Sequence, residues 1–242
     1  MNTQVVVVAK ENLATTIESI ESLLKATPGV RIIAIDNASK DPEVFKYLSC
    51  DAEICVRNKV QVSLAQAWNQ GVHLSTADVV VITNNDILYA PGWLPPIVEG
   101  LKDYGIGILQ PKNTLSTLPV GFPNNYQLQD RIGAIPREDF VGCCFGFRRR
   151  LYDCIEREQN EIAEARIGGF DSRFFPFGAE DADFYRMIRR SGHSTVTHFG
   201  SYVHHWTGRT MDAIYTREEF EAHKQRANEM FEKKWSTIIE PV

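Results

Sequence analysis

The chain has 242 residues, of which 43% are hydrophobic and 24% charged, and its formal net charge is −5. These values are typical of a soluble globular protein with one large domain or two small ones. The net negative charge excludes an overall positive potential that would attract nucleic acid. It does not exclude a local basic patch at Arg148-Arg149-Arg150.

The cysteines and apolar runs indicate where the protein works. The five cysteines are odd in number and have no CxxC spacing, which argues against a disulfide framework and against a zinc ribbon. The first apolar run, Val5–Ala9, is too short for a signal peptide, and no run approaches the roughly 20 apolar residues of a membrane helix. We therefore expect a cytoplasmic protein without a transmembrane segment.

The first hundred residues predict alternating strands and helices. The predicted strands are Val5–Ala9, Arg31–Ile35, Glu53–Val56 and Val79–Thr83. The predicted helices between them are Leu13–Leu24, Val44–Leu48 and Leu64–Val72. This alternation indicates an α/β fold whose mainly parallel sheet is flanked by helices.

The second half of the chain is less regular. Short strands are predicted at Ile106–Leu109, Phe140–Phe147, Thr195–Thr197 and Ser201–His205, and helices at Leu151–Arg166, Ala179–Arg190 and Thr216–Trp235. Residues 111–139 are rich in Pro, Asn and Gly and predict a loop. With no linker-like boundary, one compact domain is the simplest interpretation.

Polar clusters follow three of the predicted strands, at Ala9-Lys10-Glu11-Asn12, Asp36-Asn37-Ala38-Ser39 and Asn84-Asn85-Asp86. Ligands of parallel α/β sheets bind outside the carboxyl ends of the strands, so these clusters predict one shared site. A carboxylate flanked by amide oxygens suits Mg²⁺ or Mn²⁺. The alternatives are an Asx-turn or helix cap at Asp36 and a polar turn at Asn84–Asp86.

Two further clusters carry titratable side chains. Glu180, Asp181 and Asp183 open a predicted helix after an aromatic run, and a carboxylate beside aromatic walls becomes a better general base. Their alternative role is to stabilise the helix dipole. His204 and His205 are adjacent in a predicted strand, so at most one of them should face the site, where it could bind a metal. We interpret Cys143 and Cys144 as buried core residues.

The order of these motifs resembles that of the family 2 glycosyltransferases, enzymes of the GT-A fold that use nucleotide sugars. The similar segments are Val5–Asn12, Asp36-Asn37-Ala38-Ser39-Lys40-Asp41, Arg57-Asn58 through Asn69-Gln70-Gly71, Gly168-Gly169-Phe170-Asp171, Glu180-Asp181-Ala182-Asp183 and His205–Thr210. Asn84 stands where the family's metal motif has its first aspartate, and Ala38 stands where the family has glycine. The glycine expected after Asn58 is also absent.

The resemblance implies a single Rossmann-like domain. Residues 1–110 would bind the nucleotide sugar, residues 111–215 would form an irregular acceptor and catalytic half, and residues 216–242 would end the chain as a helix. The acceptor side would be bordered by Tyr126, Arg131 and Arg148–Arg150.

The resemblance also implies roles for individual residues. Asp181, with Glu180, would act as the catalytic base, and Asp86, with His205, would hold Mn²⁺ or Mg²⁺. The nucleotide sugar, most often UDP-linked, would contact Asp36 through its base. The full set of expected nucleotide-sugar contacts is Ala9, Lys10, Asn12, Asp36, Asn58, Asn69, Asn84 and Asn85.

The expected reaction is inverting transfer of a sugar to a hydroxyl on a glycan, a lipid-linked, protein or small-molecule acceptor. A modified base in phage DNA is a further acceptor, with the arginine triplet on phosphate, although a solvated face is the preferred interpretation of those arginines. The alternative functions are a nucleotidyltransferase that makes sugar nucleotides and a non-catalytic nucleotide- or glycan-binding module.

Overall fold

The computed structural model describes residues 1–116, 132–134 and 140–238. The predicted contacts Tyr126 and Arg131 lie outside these residues, as does most of the predicted loop at 111–139. Among the described residues, no helix is both long enough and apolar enough to cross a lipid bilayer.

The described residues form seventeen elements. The strands are β1 (Thr3–Ala9), β2 (Ile32–Asp36), β3 (Ile54–Arg57), β4 (Val79–Asn84), β5 (Ile87–Tyr89), β6 (Ile106–Ser116), β7 (Ile132–Ala134), β8 (Cys144–Arg148) and β9 (Ser194–Trp206). The helices are α1 (Leu13–Ala26), α2 (Pro42–Asp51), α3 (Leu64–Leu74), α4 (Leu94–Gly100), α5 (Arg149–Ala163), α6 (Glu180–Arg190), α7 (Arg209–Ile214) and α8 (Arg217–Thr237).

The nine described strands form one sheet in the order β3-β2-β1-β4-β8-β6-β9-β5, with β7 paired to β9. The strands β3, β2, β1 and β4 run parallel, as the alternating pattern predicts. Beyond them β8 is antiparallel to both β4 and β6, while β6 and β9 are parallel to each other. The fold is therefore α/β, with a parallel first half and a mixed second half.

Apolar residues cover the two faces of this sheet in separate clusters. One cluster contains Trp68, Phe145, Phe147, Phe170 and Phe184, and the other is mainly aliphatic. Helix α3 packs very closely on β1, because a Cβ at Gly71 would come 2.2 Å from a methyl group of Val6. This glycine therefore fixes the distance between helix and sheet.

Several boundaries differ from the sequence predictions. The two short strands predicted at Thr195–Thr197 and Ser201–His205 are one strand, β9, with a bulge where Pro111 pairs with His198 and Lys112 with Tyr202. Residues 111–116 of the predicted loop belong to β6 and residues 132–134 to β7. The predicted strand Phe140–Phe147 begins only at Cys144.

Besides β7, three short elements, β5, α4 and α7, did not appear in the predicted pattern. Helix α4 has prolines in its first turn, where the missing amide proton is tolerated although the sequence suggests a break. Strand β5 has only three residues and α7 only six, so neither contains enough residues for a periodic signal.

Candidate active site

A cleft of about 560 Å³ lies at the carboxyl ends of β1 and β4, a volume in the range of ligand pockets. The predicted site residues Lys10, Asn84, Asn85, Asp86, Glu180, Asp181 and His205 line this cleft. The cleft is also lined by residues that the motif analysis did not select, namely Gln61, Leu64, Trp68, Gly142, Cys143, Phe177, Met211, Ile214, Tyr215, Phe220 and Lys224. Most of this second group is apolar or aromatic and belongs to no polar motif.

Strand pairing places Asp86 beside His205. Asp86 directly precedes β5, whose Ile87 pairs with His205 of β9, and the carbonyl of Asp86 accepts a hydrogen bond from Trp206 at 3.0 Å. His205 Nε2 lies 3.2 Å from Asp86 Oδ1. His204 is buried and packs edge to face against Trp206, so only one of the two histidines faces the cleft.

The donor set of Asp86 and His205 fits a divalent cation in part. Asp86 is buried, and the described residues give its Oδ1 no partner that we identify besides the ion pair with His205, so a cation that replaced the imidazole proton could bind this oxygen. Among the described residues no three His, Cys, Asp or Glu side chains converge on one point. Two adjacent ligands suit a metal whose remaining positions are filled by diphosphate oxygens and water.

The pKa of His205 reflects this pairing. Burial by itself lowers the pKa of the imidazole, but the neighbouring Cys143 and Asp86 outweigh burial and raise the pKa to about 10. The imidazole would have to lose its proton before it could bind a metal.

The segment Val141-Gly142-Cys143 connects the two acidic parts of the cleft. The Asn84 amide donates to the Cys143 carbonyl at 3.0 Å, and the Gly142 amide donates to Asp181 Oδ2 at 3.1 Å. A Cβ at Gly142 would meet the Asp181 carboxyl at 2.5 Å. Glycine is therefore required here for the backbone to approach the carboxylate.

Glu180 and Asp181 lie in the first turn of α6. Asp181 is partly buried and also accepts from the Ala182 amide at 2.7 Å, while Glu180 is buried and accepts from the Gly178 amide. Burial raises the pKa of both carboxyls, and the charge of Asp181 adds to the effect on Glu180. Both groups thus hold protons more strongly than ordinary carboxyls, as a general base requires.

Lys10 and Asn37 form the other wall of the cleft. The Lys10 ammonium donates to the carbonyls of Asn37 at 3.3 Å and Ala38 at 3.2 Å, and burial lowers its pKa. Ala38 adopts φ 63°, the left-handed conformation that glycine takes most easily. The turn therefore keeps this conformation at a cost of roughly 1 kcal/mol despite the missing glycine.

The structure does not bring Asp36 to the wall of the cleft. Its carboxylate is fully buried, accepts from the Ser39 amide at 2.9 Å and lies 3.1 Å from Arg57 Nε. This is the turn-forming role that the alternative interpretation anticipated. The sequence neighbour of Asp36, Asn37, lines the cleft, and the Asp36 partners Ser39 and Arg57 border a second hollow of about 400 Å³.

Three other predicted contacts hold neighbouring segments and do not line the cleft. Asn58 exchanges hydrogen bonds with Gln70 and donates to Asn37 Oδ1 at 3.2 Å. Asn12 caps α1 and donates to the Arg209 carbonyl at 3.1 Å. Ala9 is fully buried at the end of β1.

Asn69 has a structural role that its motif did not reveal. It donates to the carbonyls of Ile167 and Phe170, and its oxygen accepts from the Tyr152 hydroxyl at 2.7 Å and the Phe170 amide at 3.0 Å. Asn69 is 1% exposed, so its side chain makes its hydrogen bonds within the protein and is not accessible to a ligand. The residue fixes the Gly-Gly-Phe-Asp segment against α3.

Asn85 joins two distant segments although it borders the cleft. Its amide donates to Thr16 at 2.8 Å, and its oxygen accepts from Thr210 at 3.2 Å. Through Thr210 and the carbonyl of Arg209, the end of the His205–Thr210 motif is attached to the turn after β4 and to the start of α1.

Two residues of the arginine triplet are used inside the fold. Arg148 donates to the carbonyls of Leu101, Asp103 and Tyr104, and Arg149 donates to those of Val72 and Ser75. Of the three, only Arg150 is exposed. Because Arg148 and Arg149 are already hydrogen-bonded within the fold, the triplet offers little to a phosphate group.

Comparison with known proteins gives the context of this cleft. The sequence profile of glycosyl transferase family 2 matches residues 4–156, more than half of the chain. The chain belongs to this family. Human polypeptide N-acetylgalactosaminyltransferase 16 is 26% identical over 105 residues, which make up 42% of this chain and 19% of that protein.

Solved structures of glycosyltransferases share the fold of this family 2 member. GalNAc-T7 with UDP, GalNAc and Mn²⁺ superposes with a TM-score of 0.66 and 17% identity, over 84% of this chain and 43% of that one. The Pyrobaculum calidifontis mannosyltransferase with GDP-Man and Mn²⁺ superposes with a TM-score of 0.60 and 18% identity, over 86% of this chain and 57% of that one. Staphylococcus aureus TarS with UDP-GlcNAc superposes with a TM-score of 0.62 and 13% identity, over 92% of this chain and 64% of that one.

The chain is thus shorter than the proteins it resembles, spanning 19% of the curated relative and 43% of GalNAc-T7. At these identities the structural likeness establishes the GT-A fold.

Proposed function

We propose that this family 2 protein transfers a sugar from a nucleoside-diphosphate sugar, UDP-linked, to a hydroxyl acceptor with inversion of the anomeric carbon and with a divalent metal. One observation carries the proposal. Asp86 with His205 and Asp181 with Glu180 line a single cleft, joined by hydrogen bonds through residues 142–143. The structures of GalNAc-T7, the mannosyltransferase and TarS are complexes with UDP, GDP-Man or UDP-GlcNAc, and two of them are complexes with Mn²⁺.

Asp86 and His205 would hold Mn²⁺ or Mg²⁺ together with the diphosphate. When bound, such a cation offsets the negative charge that develops on the leaving diphosphate. The chain supplies only one carboxylate and one imidazole here, with the Asn84 side chain nearby in the lining. We therefore expect the metal to bind more tightly with nucleotide than alone.

Asp181 would take the proton of the acceptor hydroxyl as that oxygen attacks the anomeric carbon. The attack forms the new C–O bond while the bond to the diphosphate breaks on the opposite face, which inverts the configuration. Burial raises the pKa of Asp181, which strengthens its hold on the proton, while Glu180 is buried beside it and has its own pKa raised by burial and by the Asp181 charge.

The nucleotide would lie against Lys10 and Asn37, where a positive charge and an amide face the cleft. Asp36 stays our proposed contact to the nucleobase, since it precedes Asn37 of this wall and is bonded to Ser39 and Arg57, which border the second hollow. Asn12, Asn58 and Asn69 would act by holding the segments of this wall.

The acceptor would be a hydroxyl of a glycan or of a lipid-linked, protein or small-molecule substrate. A phage DNA base has less support, because Arg148 and Arg149 are bonded within the fold. A cytoplasmic location stays a prediction, based on the five free cysteines.

The experiment that tests the proposal replaces Asp181 by Asn. We expect transfer to fall by roughly 10²–10⁴-fold, because the amide cannot accept the proton, while nucleotide affinity with Mn²⁺ is unchanged. The measurements are release of nucleoside diphosphate and isothermal titration with nucleotide. Asp153→Asn, at an exposed position of α5, is the matched control. Turnover of Asp181→Asn at the wild-type rate would remove Asp181 from the role of base.

A further inference from the structure

We propose that the acceptor hydroxyl is carried by an apolar body, aromatic or aliphatic, that packs against an apolar wall of the cleft. The wall consists of Leu64, Phe177, Met211, Ile214, Tyr215 and Phe220. The inference rests on the proposed function, because it assigns the occupant of the same cleft on the side of Asp181.

Phe177 is the centre of this wall. Its ring stacks on Phe220 with centroids 5.4 Å apart and a 29° interplanar angle, and it contacts Tyr215 at 5.3 Å. His223 meets both Phe177 and Tyr215 edge to face. Contacts of this kind hold aromatic rings in fixed positions, so the wall is preformed and does not need to be assembled by a ligand.

The wall and the proposed base are parts of one short segment. Phe177 is followed by Gly178, whose amide donates to Glu180, and Asp181 comes next. An acceptor packed on Phe177 would therefore have its hydroxyl near the Asp181 carboxylate. Lys10, Asn37 and Asp86, on the nucleotide side of the cleft, instead follow strands β1, β2 and β4.

A hydrogen bond orients the Tyr215 ring. Gln61 Nε2 donates to the Tyr215 hydroxyl at 2.6 Å, and both residues line the cleft. Because the hydroxyl is bonded to Gln61, the remaining surface that the ring offers a ligand is its apolar face. Tyr215 is half-buried, as are Phe220, Met211 and Ile214, so part of the wall is accessible.

Two exposed apolar side chains form a rim next to lining residues of the cleft. Val60 is 71% exposed and precedes Gln61, and Phe175 is 52% exposed and precedes Pro176. Their segments are adjacent, because the Leu64 amide donates to the Pro176 carbonyl at 2.9 Å and Ser63 Oγ donates to the Ser172 carbonyl at 2.9 Å. An acceptor with an extended apolar body would cover this rim as well as the wall.

The distribution of polar groups favours such a body over a free sugar. A sugar presents hydroxyls on all its edges, and each needs a hydrogen-bond partner when it is buried. The six wall residues are apolar or aromatic, although Gln61, Asp212 and Lys224 also line the cleft, with the Lys224 ammonium 5.4 Å from the centre of the Phe220 ring. The amide and carboxylate groups at Asn84–Asp86 and Glu180-Asp181 lie outside this wall. The hydroxyl end of the acceptor is thus matched to the carboxylates and its remainder to the wall.

The test compares methyl and phenyl glycosides of the same sugar as ligands. Their binding is measured by calorimetry to protein saturated with Mn²⁺ and the nucleoside diphosphate that most raises its melting temperature. We expect the phenyl glycoside to bind about tenfold to a hundredfold more tightly, the factor for burying one phenyl ring.

Substitutions in the wall test whether the wall causes this difference in affinity. Phe220→Ala and Tyr215→Ala should reduce the ratio of phenyl to methyl affinity several-fold, while Tyr215→Phe should keep it because the ring stays. Tyr104→Ala is the matched control, since this tyrosine is 74% exposed and does not line the cleft. In all four variants, nucleotide and Mn²⁺ should raise the melting temperature by the same amount as in the wild type. This result would show that the variants are folded and that the sugar-donor side of the cleft is intact.

Equal affinity of the two glycosides, no binding of either, or a ratio that is unchanged in both Phe220→Ala and Tyr215→Ala would overturn the proposal. Tighter binding of the methyl glycoside would indicate a sugar acceptor. Failure of the proposed function would give a different result, because the protein would then show no nucleotide-dependent shift at all.

Discussion

Glu180 and Asp181 illustrate how neighbouring carboxyls can take separate tasks. Both begin α6, but Glu180 is 5% exposed and accepts from the Gly178 amide, whereas Asp181 accepts from Gly142 across the cleft. The helix dipole favours both charges, and burial opposes them. Burial wins for each, so the pKa of each carboxyl is raised.

This balance predicts how stability depends on pH. The pKa of Glu180 is raised from 4.5 to about 8, so between these values the native state binds more protons than the unfolded state. The free energy of unfolding should therefore fall as pH rises through this window. Glu180→Gln, which stays neutral and can still accept from Gly178, should make the fall shallower, as measured by urea unfolding at pH 5, 6, 7 and 8.

Glu221→Gln, on an exposed part of α8, provides the control, because it should leave the slope unchanged. A wild-type slope in Glu180→Gln would show that Glu180 ionises normally in the folded protein.

Helix α8 shows how an element far along the chain supports the site. It begins with a capping box between Thr216 and Glu219, and it ends on a buried charge cluster. Lys234 lies 2.9 Å from Asp171 and 2.8 Å from Asp183, both fully buried, and Trp235 Nε1 donates to Asp183 at 3.0 Å. Asp183 is in α6, so α8 fixes the helix that carries Asp181.

Loss of the Lys234 ammonium should therefore destabilise the whole protein. Lys234→Met leaves two buried carboxylates with one cation fewer, and we expect a loss of about 3–5 kcal/mol in the free energy of unfolding. The measurement is urea unfolding at pH 7. Lys233→Met changes the exposed neighbouring lysine and should have little effect. Equal stability of the two variants would show that the cluster does not hold α8.

At the scale of the whole molecule, the cleft is built from segments that are distant in sequence. Residues from β1, the end of β4, the turn at 141–143, the start of α6 and the region 205–215 all contribute to it. A ligand that binds only when these segments are assembled stabilises the native state by mass action.

We therefore expect a nucleoside diphosphate with Mn²⁺ to raise the melting temperature, by an amount equivalent to about 2.7 kcal/mol at a hundredfold excess over its Kd. A screen of UDP, GDP, ADP and CDP identifies the base. The metal-dependent part of the increase in melting temperature is the part that EDTA removes. Asp86→Ala should reduce this part, since Asp86 is the only carboxylate that we assign to the metal. If none of the nucleotides produced a shift, a sugar-nucleotide site would be contradicted, and a full shift in Asp86→Ala would place the metal elsewhere.

The sequence by itself determined the parallel half of the fold and the position of the cleft. Short apolar runs located the strands, of which β1, β2 and β4 are buried on both faces, and helical spacing of apolar residues located the helices between them. Polar residues at the ends of parallel strands necessarily share one edge of the sheet, which is why Lys10, Asn84 and Asp86 were found together.

Only the tertiary structure decided which polar side chains face the cleft. Asp36 and Asn69 stand in motifs like those of their neighbours, but one is bonded to Ser39 and Arg57 and the other to Tyr152 and the 167–170 segment. Likewise, Phe177, Tyr215 and Phe220 form a wall only because α7 and α8 return to α6. Partners of this kind are contributed by distant parts of the chain, so no local repeat or spacing encodes them.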